Sequence, residues 1–213
     1  MASLPAPSPP ILSPRAARTR AALIAAGFEL LAERPIDAIP IDDVVARAGV
    51  AKGSFFNHFR DKSAFAAAIG DEVRLELELR IAASNAGVAD PLTRIAGGMC
   101  TGAVFALAKP KRTIVLLRSH ASSTLSSHPL NRGLAEDMDA ALAAGLVREE
   151  ARAGGVLYWL GLCQILMANL VEHRSASDAA RAALDTMLVL GLTGLGAAPE
   201  RARAIADKAC AGL

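Results

Sequence analysis

Apolar residues recur at helical spacing from residue 41. Ile41, Val44, Val45 and Ala48 stand at i, i+3, i+4 and i+7, one stripe on one helical face. Gly49 follows, where a helix ends readily because glycine takes the left-handed conformation at no steric cost. A second helix is expected over 52–59. On a wheel of about 100° per residue, Phe55 and Phe59 share the inward face, while Gly53 and Asn57 lie opposite, flanked by Ser54 and Phe56. Two short helices joined by a glycine turn thus offer a bare backbone, a hydroxyl, a ring and an amide to the outside.

The rest of the chain repeats the helical pattern, with no alternating strand signal. Leu23, Ile24, Gly27, Phe28, Leu30 and Leu31 make the apolar side of a helix over 16–33, which Pro35 ends. Phe65, Ile69, Val73, Leu77 and Ile81 continue one stripe through a long helix from about residue 61, broken by Asn85, Gly87, Asp90 and Pro91. Further helices are expected over 91–107, 110–126, 130–144, 148–173, 176–195 and 199–211. The fold class is therefore all-α, with about nine to ten helices. Residues 148–173 and 184–195 are apolar almost all round. A chain of this size does not easily cover both, so the helices 148–173 and 176–195 are expected to pair with those of a second copy as a four-helix homodimer seam.

Composition narrows the class. The 213 residues carry a net charge of +2 and are 53% hydrophobic, with a mean hydropathy of +0.34. Residues 15–70 hold eight Arg and Lys against six Asp and Glu, so any nucleic-acid affinity rests on a few placed cations, helix N-termini and duplication in a dimer. Residues 1–14 hold five of the eleven prolines and are expected to form a disordered arm. This stretch lacks the apolar core of an export signal. The apolar run 155–171 is short for a membrane span and is interrupted by Gln164 and Asn169. Three well-separated cysteines, Cys100, Cys163 and Cys210, suit neither a disulfide framework nor a zinc site. A cytoplasmic protein without metal, cofactor or membrane partner is the expectation.

The pieces FELLAER (28–34), IDDVVARAGV (41–50), KGSFFNHF (52–59) and DKSAF (61–65) stand in an order and spacing that resemble the N-terminal domain of the TetR family of transcriptional regulators. Three positions depart from that pattern: Pro40 and Ala51 replace the usual Ser or Thr caps, and Phe56 replaces a common Tyr. The resemblance divides the chain into a helix-turn-helix DNA-binding domain over 15–62, with its motif at about 40–59, and a helical ligand-binding and dimerisation domain over 63–213.

Candidate DNA contacts follow. Asn57 can read adenine through its amide, Phe56 can touch a thymine methyl, and Gly53 and Ser54 allow close approach. Lys52, Lys62 and His58 suit phosphates, and Thr19 matches a family position that touches phosphate. The resemblance also implies a small-molecule pocket, for which Met99, Phe105, His120, Trp159, Cys163 and Met167 are candidates, since an adaptable site favours soft and aromatic groups. No carboxylate or basic cluster stands out among them, so a neutral or weakly polar effector is expected.

No catalytic constellation appears. His58, His120, His128 and His173 lack metal-ligand spacing, GLTGLG (191–196) follows no strand, and no GxSxG or P-loop occurs. The expectation is a non-enzymatic, ligand-responsive repressor that binds a near-palindromic operator as a homodimer, with the helix from residue 61 moving between two states. The alternatives are an activator or ligand-independent regulator on the same fold, and a helical enzyme or carrier that kept the N-terminal domain for packing alone.

Overall fold

The computed structural model describes residues 13–119, 127–173 and 177–210. Ten α-helices occur among them: α1 (Pro14–Glu33), α2 (Ile41–Ala48), α3 (Lys52–Phe56), α4 (Lys62–Ser84), α5 (Pro91–Ala108), α6 (Pro110–Arg118), α7 (Arg132–Ala143), α8 (Ala151–Glu172), α9 (Ser177–Leu195) and α10 (Pro199–Cys210). The proline-rich arm lies outside the described residues up to position 12. So do residues 120–126, where the helix expected over 110–126 would have continued. Within the described part α6 ends at Arg118.

Local chemistry sets the boundaries. The Ser13 side chain accepts from the Ala16 amide at the head of α1. Asp61 accepts from Ala64 N at 2.7 Å and starts α4, and Asp90 does the same for α5 through Thr93. Such caps satisfy amides that have no partner within the helix. Gly49 ends α2 at φ 66°, a region that side chains other than glycine enter at a cost. Helices α2 and α3 have no side-chain cap at Pro40 or Ala51. In α2 the carboxylates of Asp42 and Asp43 occupy the first turn, where the helix dipole favours negative charge and offsets the missing cap.

One aromatic cluster holds the N-terminal unit. Phe55, Phe59 and Phe65 are buried, with ring centroids 4.8–5.6 Å apart. α1 crosses α4 at Gly27, where an added Cβ would lie 2.2 Å from Phe65 Cζ, so only a glycine lets the helices meet there. Phe28, expected in that core, is only half-buried; Lys111 and Arg112 of α6 sit over its ring at 6.0 and 5.4 Å. Val73 and Leu77 carry the α4 stripe into the C-terminal half, where it packs against α5 and α6.

Around that stem α5, α7, α8, α9 and α10 form a helical body with Trp159, Leu92, Met99, Met138 and Leu170 at its centre. Helices α5 and α8 are long and apolar enough to cross a membrane by length and composition; they pack against each other and against α7 and α9, with 44% and 33% of those stretches buried.

Candidate functional site

The second short helix is one turn shorter than its pattern predicts. α3 stops at Phe56, and Asn57 is its C-terminal cap residue at φ −71°, ψ −18°. The amides of His58 and Phe59 share the Phe55 carbonyl, at 3.0 and 2.9 Å: the first is the tighter i→i−3 bond of a closing turn, the second an ordinary i→i−4 helical bond. That turn swings Phe59 under Phe55. It leaves Asn57 in a turn at the helix end, still exposed.

The outer face assembles most of the residues read from sequence. Lys52, Gly53, Phe56 and Asn57 are exposed, and Ser54 and His58 are half-buried at its edges. The Phe56 ring is 55% exposed although its neighbour Phe55 is fully buried. A bulky ring held in solvent is not core packing; it is available to a partner. Lys52 pairs with Asp42 at 2.9 Å, with both side chains more than 60% exposed, and a phosphate can compete for such a solvated pair. Thr19 is half-buried on α1.

Lys62 needs correction. Its ammonium donates to the carbonyls of Ile36, Asp37 and Ile39 at 3.2, 3.2 and 3.0 Å. An ammonium has three N–H groups, so Lys62 is committed to holding the 3-10 turn Ile36–Ala38 against the start of α4. Arg60, not picked out from the sequence, is the exposed cation at this end of the motif, 86% exposed beside Asp61.

The second site is a cavity of about 520 Å³ enclosed by α4, α5, α6, α7 and α8. Of the six candidates, Trp159, Cys163 and Met167 line it. Met99 and Phe105 do not: Met99 is 1% exposed in the core, and Phe105 packs beneath Arg80 and Lys109. His120 lies outside the described residues. Burial pushes the Cys163 thiol up to about 12, so it enters the wall as a neutral, soft group.

The wall carries charged residues that do not stand out among the sequence candidates. Arg74 and Glu78, one turn apart on α4, pair at 2.6 Å, and Arg94 of α5 pairs with Asp137 of α7 at 2.6 Å. All four line the cavity. Arg74 also donates to the side-chain oxygen Oδ1 of the buried Asn131 at 3.1 Å. Burial raises the Asp137 pKa, and the bond from Arg94 opposes that rise. An i, i+4 pair is visible in sequence but is usually a solvated helix face. The Arg94–Asp137 pair spans 43 residues, and no local pattern reports it.

The two sites share α4 and α6. Leu116 and Leu117 of α6 line the cavity. The next residue, Arg118, donates to the carbonyls of Leu31 and Ala32 at 2.9 and 3.0 Å, covering the C-terminal end of α1.

Residues 23–69 match the family described as bacterial regulatory proteins, tetR family. The chain carries a TetR-family N-terminal domain. The transcriptional regulator AcuR of Cereibacter sphaeroides is 37% identical over 57 residues, 27% of this chain and 26% of that regulator, so the sequence match spans about a quarter of either protein. Solved structures extend the likeness over the TetR-type body. A tetR family transcription regulator from Shewanella sp. PV-4 superposes with a TM-score of 0.68 at 18% identity, covering 83% of this chain and 97% of that one. RolR in complex with resorcinol superposes at 0.59 and 21% identity, covering 91% and 95%. At these identities the likeness is one of fold.

Proposed function

We propose that this chain is a ligand-responsive transcription factor, a repressor that binds a near-palindromic operator as a homodimer and leaves it when a small molecule fills the α4–α8 cavity. Residues 15–62 are the DNA-binding unit and 63–213 the effector and dimer unit. The observation that carries the reading is the exposed Gly53–Phe56–Asn57 face, raised on a buried aromatic cluster within a TetR-type domain. The amide reads a base edge, the ring meets a methyl group, and Lys52, Arg60 and His58 supply phosphate contacts.

Dimerisation is supported by α8 and α9. Leu157 and Ile165 on α8 are 59% and 68% exposed, and Leu190 on α9 is 59% exposed. With Tyr158, whose hydroxyl donates to the Leu190 carbonyl at 3.4 Å, they are exposed apolar side chains that a second copy would cover as a four-helix seam. A two-fold pair sets its recognition helices about 34 Å apart, in successive major grooves. AcuR is a transcriptional regulator and RolR holds resorcinol, and both fit a DNA-binding protein with a small-molecule site. The switch is a population shift. An effector that binds better to a second arrangement of α4 draws the dimer away from operator spacing.

Selection of bound sites from random duplexes tests this directly. The expected product is a two-fold symmetric sequence, bound in low salt by two chains. Failure to enrich any duplex would overturn the reading.

A further inference from the structure

The cavity wall is specific about charge. Among the described residues its charged groups are two arginines and two carboxylates, which balance, and each arginine is already bonded to one carboxylate oxygen. The Arg74–Glu78 pair is largely withdrawn from water, its side chains 11% and 22% exposed; in the second pair Asp137 is 12% exposed while Arg94 is 36% exposed. An anionic ligand would compete with Glu78 or Asp137 for its arginine and leave that carboxylate without its counter-charge in a low-dielectric site. A cationic ligand would strand an arginine in the same way. Both outcomes are costly. A neutral ligand leaves both pairs intact. The pairs still offer hydrogen bonds, because a carboxylate has two acceptor oxygens and a guanidinium five donors. The remaining wall is mainly apolar, with Leu77, Ile81, Ile95, Leu134 and Trp159, and adds the uncharged amides of Asn85 and Gln164.

We propose that the cavity takes an uncharged hydroxylated ligand, whose apolar body lies on the leucine and isoleucine side and whose hydroxyls bond Glu78 and Asp137 without breaking their ion pairs. This rests on the reading of the cavity as the effector site. It deepens that reading by naming the ligand class and the two residues that select it. Glu78 and its partner Arg74 sit on α4, the helix that continues into the DNA-binding unit, so a hydroxyl bound there acts directly on the switching element.

Three probes share one carbon chain and differ only at their ends: 1,8-octanediol, octanedioate and 1,8-diaminooctane. Trp159 is the only tryptophan in the chain and lines the cavity, so its fluorescence in the full-length protein reports binding. The diol is expected to bind at least tenfold more tightly than the diacid or the diamine. Glu78→Gln removes one negative charge from the wall, and octanedioate should then gain tenfold or more relative to the diol. If that variant does not fold, Asp137→Asn poses the same question through Arg94. Tighter binding of either charged probe to the native protein, no response to any probe, or an unchanged preference in the variants would overturn the proposal. Operator release separates it from the parent reading. A diol that binds without releasing DNA upholds the ligand class and defeats the effector role. A charged probe that binds and releases DNA does the opposite.

Discussion

The N-terminal unit and the cavity are both built on α4, but they are encoded over different distances. The proposed recognition face, Thr19 of α1 apart, lies within residues 41–62, and each of its parts follows from neighbours a few positions away. Gly49 ends one helix, Phe55 and Phe59 anchor the next, and Asn57 falls outside because they fall inside. The cavity has no such address. Its wall joins Arg74, Asp137 and Met167, contributed by three helices. A local surface can be read from spacing. A cavity depends on which helices meet, and many apolar stripes meet equally well.

The largest expected effect divides the two regions by stability. Phe65→Ala removes a ring packed on Phe55, Phe59 and Gly27, and should cost about 3–5 kcal/mol. Urea unfolding followed by circular dichroism should show the N-terminal unit melting before the helical body. A single, barely shifted transition would mean that the aromatic cluster is not what joins them.

Next comes the apolar face of the body. Ile165→Asp puts two like charges near the proposed two-fold seam and should weaken self-association by about 3 kcal/mol. Sedimentation velocity would register this as a monomer with unchanged helix content. A variant that still sediments as the native species would move the interface elsewhere.

Smaller effects distinguish roles inside the reading face. Asn57→Ala should weaken specific binding by about 1–3 kcal/mol and relax one base position. Lys52→Ala should weaken all duplexes alike and lower the salt slope by about 1. Lys62→Ala should leave the salt slope unchanged and cost about 1–3 kcal/mol of folding stability, because it releases three carbonyls of the 36–39 turn. Binding isotherms at several salt concentrations, beside urea titrations, tell these apart.

The smallest effect concerns the link between the regions. The Lys109 hydrogen bond is the largest cause holding the Glu76 carboxyl below its ordinary 4.5, helped by Arg80 and Arg112. A depressed folded pKa means that this stability is whole above about pH 4.5 and fades as pH falls through the lowered value. Glu76→Gln should therefore flatten the acid side of the stability profile. At neutral pH the loss should be under about 1 kcal/mol, since the group is partly solvated. A variant with the native acid profile would remove Glu76 from the link.

Sequence alone gave most of the first region and part of the second. The helix boundaries at Gly49, Asp61, Asn85 and Pro91 were legible because each marks a cap or a breaker. The early end of α3 was not, since wheel geometry assumes a continuing helix where the chain closes in a tighter i→i−3 turn from His58 to the Phe55 carbonyl. Lys62 resembled a phosphate ligand because its three carbonyl partners lie 23–26 residues upstream. In the cavity, Trp159, Cys163 and Met167 were legible as soft side chains on one helix. Met99 and Phe105 have the same chemistry and were indistinguishable until the packing placed them in the core. The ion pairs went unseen because charged residues in helices usually face water.

The most direct measurement is affinity for the selected operator as its half-sites are moved apart. Five inserted base pairs turn one half-site by about half a helical turn away from its partner. The two-fold reading predicts a loss of tenfold or more in affinity. Equal affinity for the native and the lengthened duplex would contradict it.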